Sequence, residues 1–97
     1  MQELPTLQEI EKVSRIFKLL SDATSLKIVL TLEQGERNVT SIAEVVQMEQ
    51  SAVSHQLKLL KDNRMVKARR EGKTVFYRLD DQHVFDILEE TLEHTRH

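Results

Sequence analysis

Apolar residues fall at spacings of three and four over most of this chain and switch once to strict alternation. Leu7, Ile10, Val13, Ile16, Phe17 and Leu20 share one face, which predicts an amphipathic helix of about three to four turns after Pro5-Thr6. Ser21 and Asp22 break that pattern and can cap a second helix. Leu26, Val29, Leu30 and Leu32 carry this second helix, closed at Gly35 in the manner of a C-terminal cap. Ile42, Val45 and Val46 form the apolar side of a short third helix. For it, Ser41-x-x-Glu44 reads as a capping box, with Thr40 as the other candidate cap. After a polar connection around Met48, a fourth helix turns Val53, Leu57 and Leu60 inward, with Ser51, Ser54, His55, Lys58 and Lys61 elsewhere on it.

The period then becomes two. Val66 and Ala68 alternate with Lys67 and Arg69, and Val75, Tyr77 and Leu79 alternate with Phe76 and Arg78. Between these runs lies Arg70-Glu71-Gly72-Lys73, where Gly72 supplies the positive φ of a hairpin turn. A last helix, from about Asp81 onward, carries Val84, Ile87, Leu88 and Leu92. The expected order is α-α-α-α-β-β-α, mainly helical with one β-hairpin. Two short helices joined by a tight turn and followed by a basic-tipped hairpin form a winged helix-turn-helix. We read residues 1–97 as one such domain, with the helices at the two ends available to pair with a second copy as a homodimer.

Charge sharpens this picture. The formal net charge of −2 is unpromising for a nucleic-acid binder, but it is unevenly spread. Residues 1–54 hold 5 Lys/Arg and 8 Asp/Glu, residues 55–78 hold 8 and 2, and residues 79–97 hold 1 and 6. The middle stretch, net +6, is therefore the candidate phosphate-facing segment. The absence of cysteine excludes disulfides, thiolate metal sites and cysteine nucleophiles, and fits a reducing cytoplasm. Met1 to Glu11 is acidic, unlike a signal peptide, and uninterrupted apolar runs reach only three residues, so no membrane partner is expected. At 97 residues the core is small, a shortage that an oligomer interface relieves.

Small polar and basic groups at the start of a recognition helix can reach base edges, and lysines further along can meet the backbone. Gln50, Ser51, Ser54 and His55 are assigned to the groove, Lys58 to a phosphate, and Arg69, Arg70 and Lys73 to the wing. Three of the four histidines lie in the last fifteen residues. His94 and His97 are one helical turn apart, and Asp81 and His83 sit where the same helix begins. Roughly 16 Å of helix separates His83 from His94, so one metal cannot take both from one chain. Two antiparallel copies of the helix solve this: each site takes Asp81 and His83 from one chain and His94 and His97 from the other. One carboxylate and three imidazoles suit tetrahedral zinc, with cobalt as a mimic. Four protein ligands leave no open position for water, and no HExxH motif is present, so an enzyme is not expected, nor a small organic substrate. Asp81 is also a natural helix cap.

These residues resemble a known family, the ArsR/SmtB group of bacterial metal-sensing repressors. The likeness runs through Phe17-Lys18-Leu19-Leu20-Ser21-Asp22, Ser54-His55-Gln56-Leu57-Lys58-Leu59-Leu60, Val66 to Lys73, and Tyr77-Arg78-Leu79-Asp80-Asp81. Asp-x-His followed by His-x-x-His is similar to the C-terminal-helix site of the zinc- and cobalt-sensing, CzrA-like branch. The resemblance implies an apo dimer on an inverted-repeat operator, released by zinc to allow expression of metal efflux or resistance genes. It also implies that the non-ligating nitrogen of His94 donates to a backbone carbonyl beyond the recognition helix, that of Arg64, and so couples the two sites. The alternative is a repressor of the same family that answers another signal or is constitutive. Two departures stand out: Ser25 replaces an arginine common in the family, and the paired cysteines of the arsenic, cadmium and lead sensors are absent.

Overall fold

A computed structural model describes residues 3–97. Helix α1 (Leu7–Ser21) starts at a reciprocal capping box: the Glu9 amide donates to Thr6 Oγ1 at 3.1 Å and the Thr6 amide to Glu9 Oε1 at 2.9 Å. Asp22 closes α1 and opens α2 (Ala23–Glu33), its Oδ1 accepting from the Thr24 and Ser25 amides at 2.7 and 3.2 Å. Gly35, at φ +145°, lies just past the end of α2, and its amide donates to the Leu32 carbonyl. Helices α3 (Val39–Val46) and α4 (Gln50–Asp62) form the helix-turn-helix, joined through Gln47 in the left-handed region at φ 58°.

Three expectations need correction here. First, Arg37–Asn38 forms a short strand β1, which pairs antiparallel with β3 (Thr74–Leu79), itself paired with β2 (Val66–Glu71). The hairpin is thus two strands of a three-stranded sheet, ordered β1-β3-β2. Two residues are too few to show an alternating pattern. Second, α3 is capped by Asn38, whose Oδ1 accepts from the Ser41 amide at 2.8 Å. Thr40 and Ser41 lie inside the helix, so the Ser41-x-x-Glu44 capping box does not form. Third, Val45 is half exposed and Ala43 takes its inward place. In the hairpin turn only Gly72 has positive φ, at 63°, consistent with a two-residue turn whose first position is reserved for glycine.

The core is formed by one face each of α2, α3 and α4 against the sheet, with Ile28, Ile42, Val53 and Leu57 fully buried. From α5 (Gln82–Thr95) it receives Val84 and Leu88. Helix α1 forms as its pattern predicts, yet it has no buried residue, and Phe17 is 62% exposed. An apolar groove of about 390 Å³ runs between α1, α2 and α5, lined by Phe17, Leu20, Leu30, Ile87 and Leu92 among others. Among the described residues no helix is long and apolar enough to cross a membrane.

Candidate nucleic-acid interface and metal-binding residues

Helix α4 divides as its sequence requires. Val53, Leu57 and Leu60 are buried, and Gln50, Ser51, Ser54, His55 and Lys58 are exposed on the remaining surface. Glu49 stands at the N-cap but makes no side-chain capping bond. Lys58 reaches Asp62 at 3.5 Å with both groups largely exposed. Such a pair contributes little and gives way readily to a phosphate.

The attachment of α4 to the rest of the fold is only partly visible in sequence. The Ser25 hydroxyl, wholly buried, donates to Gln56 Oε1 at 2.7 Å and fixes α4 to α2. In sequence Ser25 stands out only as a departure from the family, and no local pattern connects it to a residue 31 positions away.

The wing residues separate into two kinds. Arg70 and Lys73 are exposed near the turn and have no ion pair among the described residues. Arg69 is held back from the tip. Its Nε and Nη2 meet Glu36 at 2.6–3.0 Å, its Nη1 meets Glu71 at 2.8 Å, and its guanidinium lies 4.7 Å from the Phe76 ring centre. The hydrogen bonds from Arg69 hold the Glu36 carboxyl below its ordinary value, and those carboxylates raise the Arg69 guanidinium further. Arg69 is thus a brace between β2 and the residue preceding β1. Glu36, its main partner, lies beyond local pattern reading because β1 itself carries no period.

At the start of α5, Asp81 is the N-cap, with Oδ1 accepting from the Val84 amide at 3.2 Å. Its other oxygen lies 3.4 Å from His83 Nδ1. The Val84 hydrogen bond, assisted by His83, holds the Asp81 carboxyl below its ordinary value, so it is an anionic donor at neutral pH. His94 lies in the last turn of α5, while His97 sits beyond its end and directs Nε2 to Glu93 Oε1 at 3.0 Å. Among the described residues no single-chain cluster of three or more His, Asp or Glu could hold a metal. The structure therefore brings Asp81 and His83 together and keeps them at the opposite end of α5 from His94 and His97. As donors the four fit zinc chemistry, since Asp81 keeps one oxygen clear of its capping bond.

Arg64 adopts left-handed φ 58° directly after α4. The Met65 amide beside it donates to the Leu60 carbonyl at 2.8 Å, and the Asp80 amide donates to the Met65 carbonyl at 3.0 Å. The end of the recognition helix is thus tied by backbone hydrogen bonds to the residue preceding Asp81.

Residues 22–68, from the joint before α2 into β2, match the family model described as bacterial regulatory protein, arsR family. The chain is 35% identical over 92 residues to a transcriptional repressor SmtB homolog of Synechocystis, covering 95% of this chain and 70% of that one. The chain belongs to the ArsR/SmtB family. Its members are transcriptional regulators and not enzymes, in agreement with the sequence reading. It is also 44% identical over 86 residues to a cadmium resistance transcriptional regulatory protein CadC homolog of Staphylococcus aureus, covering 87% and 70% of the two chains. Among solved structures, a homodimeric winged helix-turn-helix DNA-binding domain from Mycobacterium bovis superposes with TM-score 0.85 at 30% identity, covering 99% and 91%. The winged helix-turn-helix architecture of this ArsR/SmtB regulator is therefore that of a solved relative.

Proposed function

We propose that this chain is a metal-responsive transcriptional repressor of the bacterial cytoplasm, whose apo homodimer holds an inverted-repeat operator and whose affinity falls when zinc, or alternatively cobalt, binds. The observation that carries this reading is a cleft of about 610 Å³ whose lining includes Asp81, His83 and Arg64. The ligand pair and the residue whose carbonyl is proposed to couple it to DNA binding line one space. The exposed apolar faces of α1 and α5 suit a second copy, whose His94 and His97 would enter that cleft. Zinc, when bound, supplies a four-coordinate link between the α5 helices of two protomers.

The chain's own residues do the rest. Asp81 and His83 present an oxygen and a nitrogen from a capped, ordered turn, and the partner's histidine pair completes the set. The free ring nitrogen of His94 donates to the Arg64 carbonyl. That carbonyl shares a peptide plane with the Met65 amide, which donates to the Leu60 carbonyl, so a pull on it bears on α4. Gln50, Ser51, Ser54 and His55 read the groove, Lys58 meets a phosphate, and Arg70 and Lys73 track the backbone at the wing. Linkage requires that DNA weaken zinc by the factor zinc weakens DNA. One observation favours the alternative of a family member answering another signal or none: His97 is already engaged by Glu93 at 3.0 Å.

The test is fluorescence anisotropy of labelled DNA from upstream of the gene, titrated with protein in chelator and then in zinc. Salt-dependent binding that collapses with zinc supports the repressor and its switch. Binding indifferent to zinc and cobalt leaves the repressor and removes the metal switch.

A further inference from the structure

A third cavity, of about 510 Å³, opens between the C-terminal end of α4 and the outer face of the sheet. Its lining includes Lys61, Arg64, Lys67, Arg69, Arg78 and Asp80, five cations against one carboxylate. Two of the cations are satisfied: Arg69 by Glu36 and Glu71, and Lys67 by Asp80 at 3.4 Å. Lys61, Arg64 and Arg78 have no ion pair within 4 Å among the described residues. Arg78 is next in sequence to Tyr77, the partner of Arg37, so Glu36 is beside it across the sheet, but both Glu36 oxygens are taken by Arg69.

The placement of these charges works against the isolated fold. Lys67 and Arg78 are directly opposed across β2 and β3, and like charges at such positions are destabilising. A lysine on the edge strand β2 can be explained as protection against strand addition. That does not account for Arg78 on the central strand, nor for Lys61 and Arg64 converging from a different element. The C-terminal end of the helix carries a partial negative charge that opposes an anion, softened because the Leu59, Leu60 and Lys61 carbonyls accept hydrogen bonds from the Asn63, Met65 and Arg64 amides, and three full positive charges outweigh it.

The geometry points to an anion site, built from Lys61, Arg64 and Arg78, that takes a phosphate group. Guanidinium forks and a mobile ammonium match phosphate oxygens in charge and donor number. The site lies at the end of α4 opposite Gln50, roughly 20 Å of helix away, and so is distinct from the groove-reading residues. The phosphate comes either from a DNA backbone outside the segment read by α4 or from a free phosphoanion. Arg64 also lines the cleft shared with Asp81 and His83, so the site adjoins the proposed metal switch without depending on it.

The experiment is isothermal titration of the metal-free full chain with sodium pyrophosphate, alongside salt titrations of its binding to a nonspecific duplex. Both are run on wild type, on the combined K61Q/R64Q/R78Q variant and on the wing variant R70Q. All three substituted side chains are on exposed residues, and thermal melting checks the fold. If the combined variant melts early, R78Q alone takes its place. A free-anion site gives pyrophosphate binding that falls at least tenfold in the combined variant and is unchanged in R70Q. A DNA-backbone site lowers the slope of log affinity against log salt by about 0.9 for each phosphate that the variant no longer neutralises. Pyrophosphate binding that is absent or equal in wild type and variant, together with an unchanged salt slope, overturns the site.

Discussion

The DNA-reading unit and the terminal helices bury their apolar faces to very different degrees. In α4, Val53, Leu57 and Leu60 are fully buried, whereas in α1 Phe17 is 62% exposed and in α5 Ile87 is 44% exposed. The two regions have equally clear helical patterns. The difference teaches that a clean amphipathic period says a face will be covered, without saying by which chain. The reading head is complete in one protomer, and the end helices are not.

The sharpest way to break this comparison is Phe17→Asp. Each apolar side chain of this size withdrawn from water contributes about 1.5–3 kcal/mol, and a symmetric dimer loses two. Sedimentation should show the dimer dissociation constant raised by more than about a hundredfold, with each protomer's helical content kept. Leu57→Ala should do the reverse, costing about 2–5 kcal/mol of unfolding free energy in urea. A Phe17 variant that stays dimeric, or that unfolds like the Leu57 variant, removes the distinction.

Ser25→Ala probes the attachment of α4 to α2. Leaving the Gln56 oxygen without its donor should cost about 1–3 kcal/mol in chemical denaturation. DNA affinity should fall with it, because α4 loses a fixed register. Asp81 separates capping from chelation in the other region. Asp81→Asn retains a capping oxygen and should change stability little, while Asp81→Ala should cost about 1 kcal/mol. Both should weaken zinc in a competition titration with a chromophoric chelator, and a variant that kept wild-type zinc affinity would remove Asp81 from the ligand set.

The smallest effect concerns Glu33. Burial, with Glu89 next in importance, raises its carboxyl above the ordinary value, and its Oε2 is sealed without a hydrogen-bond donor. The folded state therefore disfavours the charged form, so stability falls as pH rises from the ordinary carboxylate range through the raised value. Glu33 is half-buried, so solvent still screens part of the effect. Glu33→Gln should flatten that slope and stabilise the fold at pH 7 by no more than about 0.5 kcal/mol, as read by melting temperature across pH 4–7.

Legibility in the sequence tracks the range of the interaction. The helices, the hairpin and the turn at Gly72 are readable because their periods and turn chemistry are local. So is the adjacency of Asp81 and His83. Strand β1 is not, because its partner, β3, begins 37 residues after Arg37 and because two residues carry no period. The same long-range pairing hides Glu36, and with it the bracing of Arg69. Asn38 is obscured as a cap because Ser41 and Glu44 offer a plausible box inside the helix. The occupant of the exposed α1 and α5 faces would, in the proposed dimer, belong to another chain, which no intrachain pattern encodes.

The junction at Asp22 has a mechanical consequence. One residue ends α1 and begins α2, with no loop between them. A hinge of a single extended residue, stiffened by its own carboxylate grip on the Thr24 and Ser25 amides, has little slack to absorb rotation. In the proposed dimer, leverage applied to α1 by a neighbouring protomer would pass to α2, and through the Ser25–Gln56 hydrogen bond to α4. The N-terminal helix would then be the handle of the reading head.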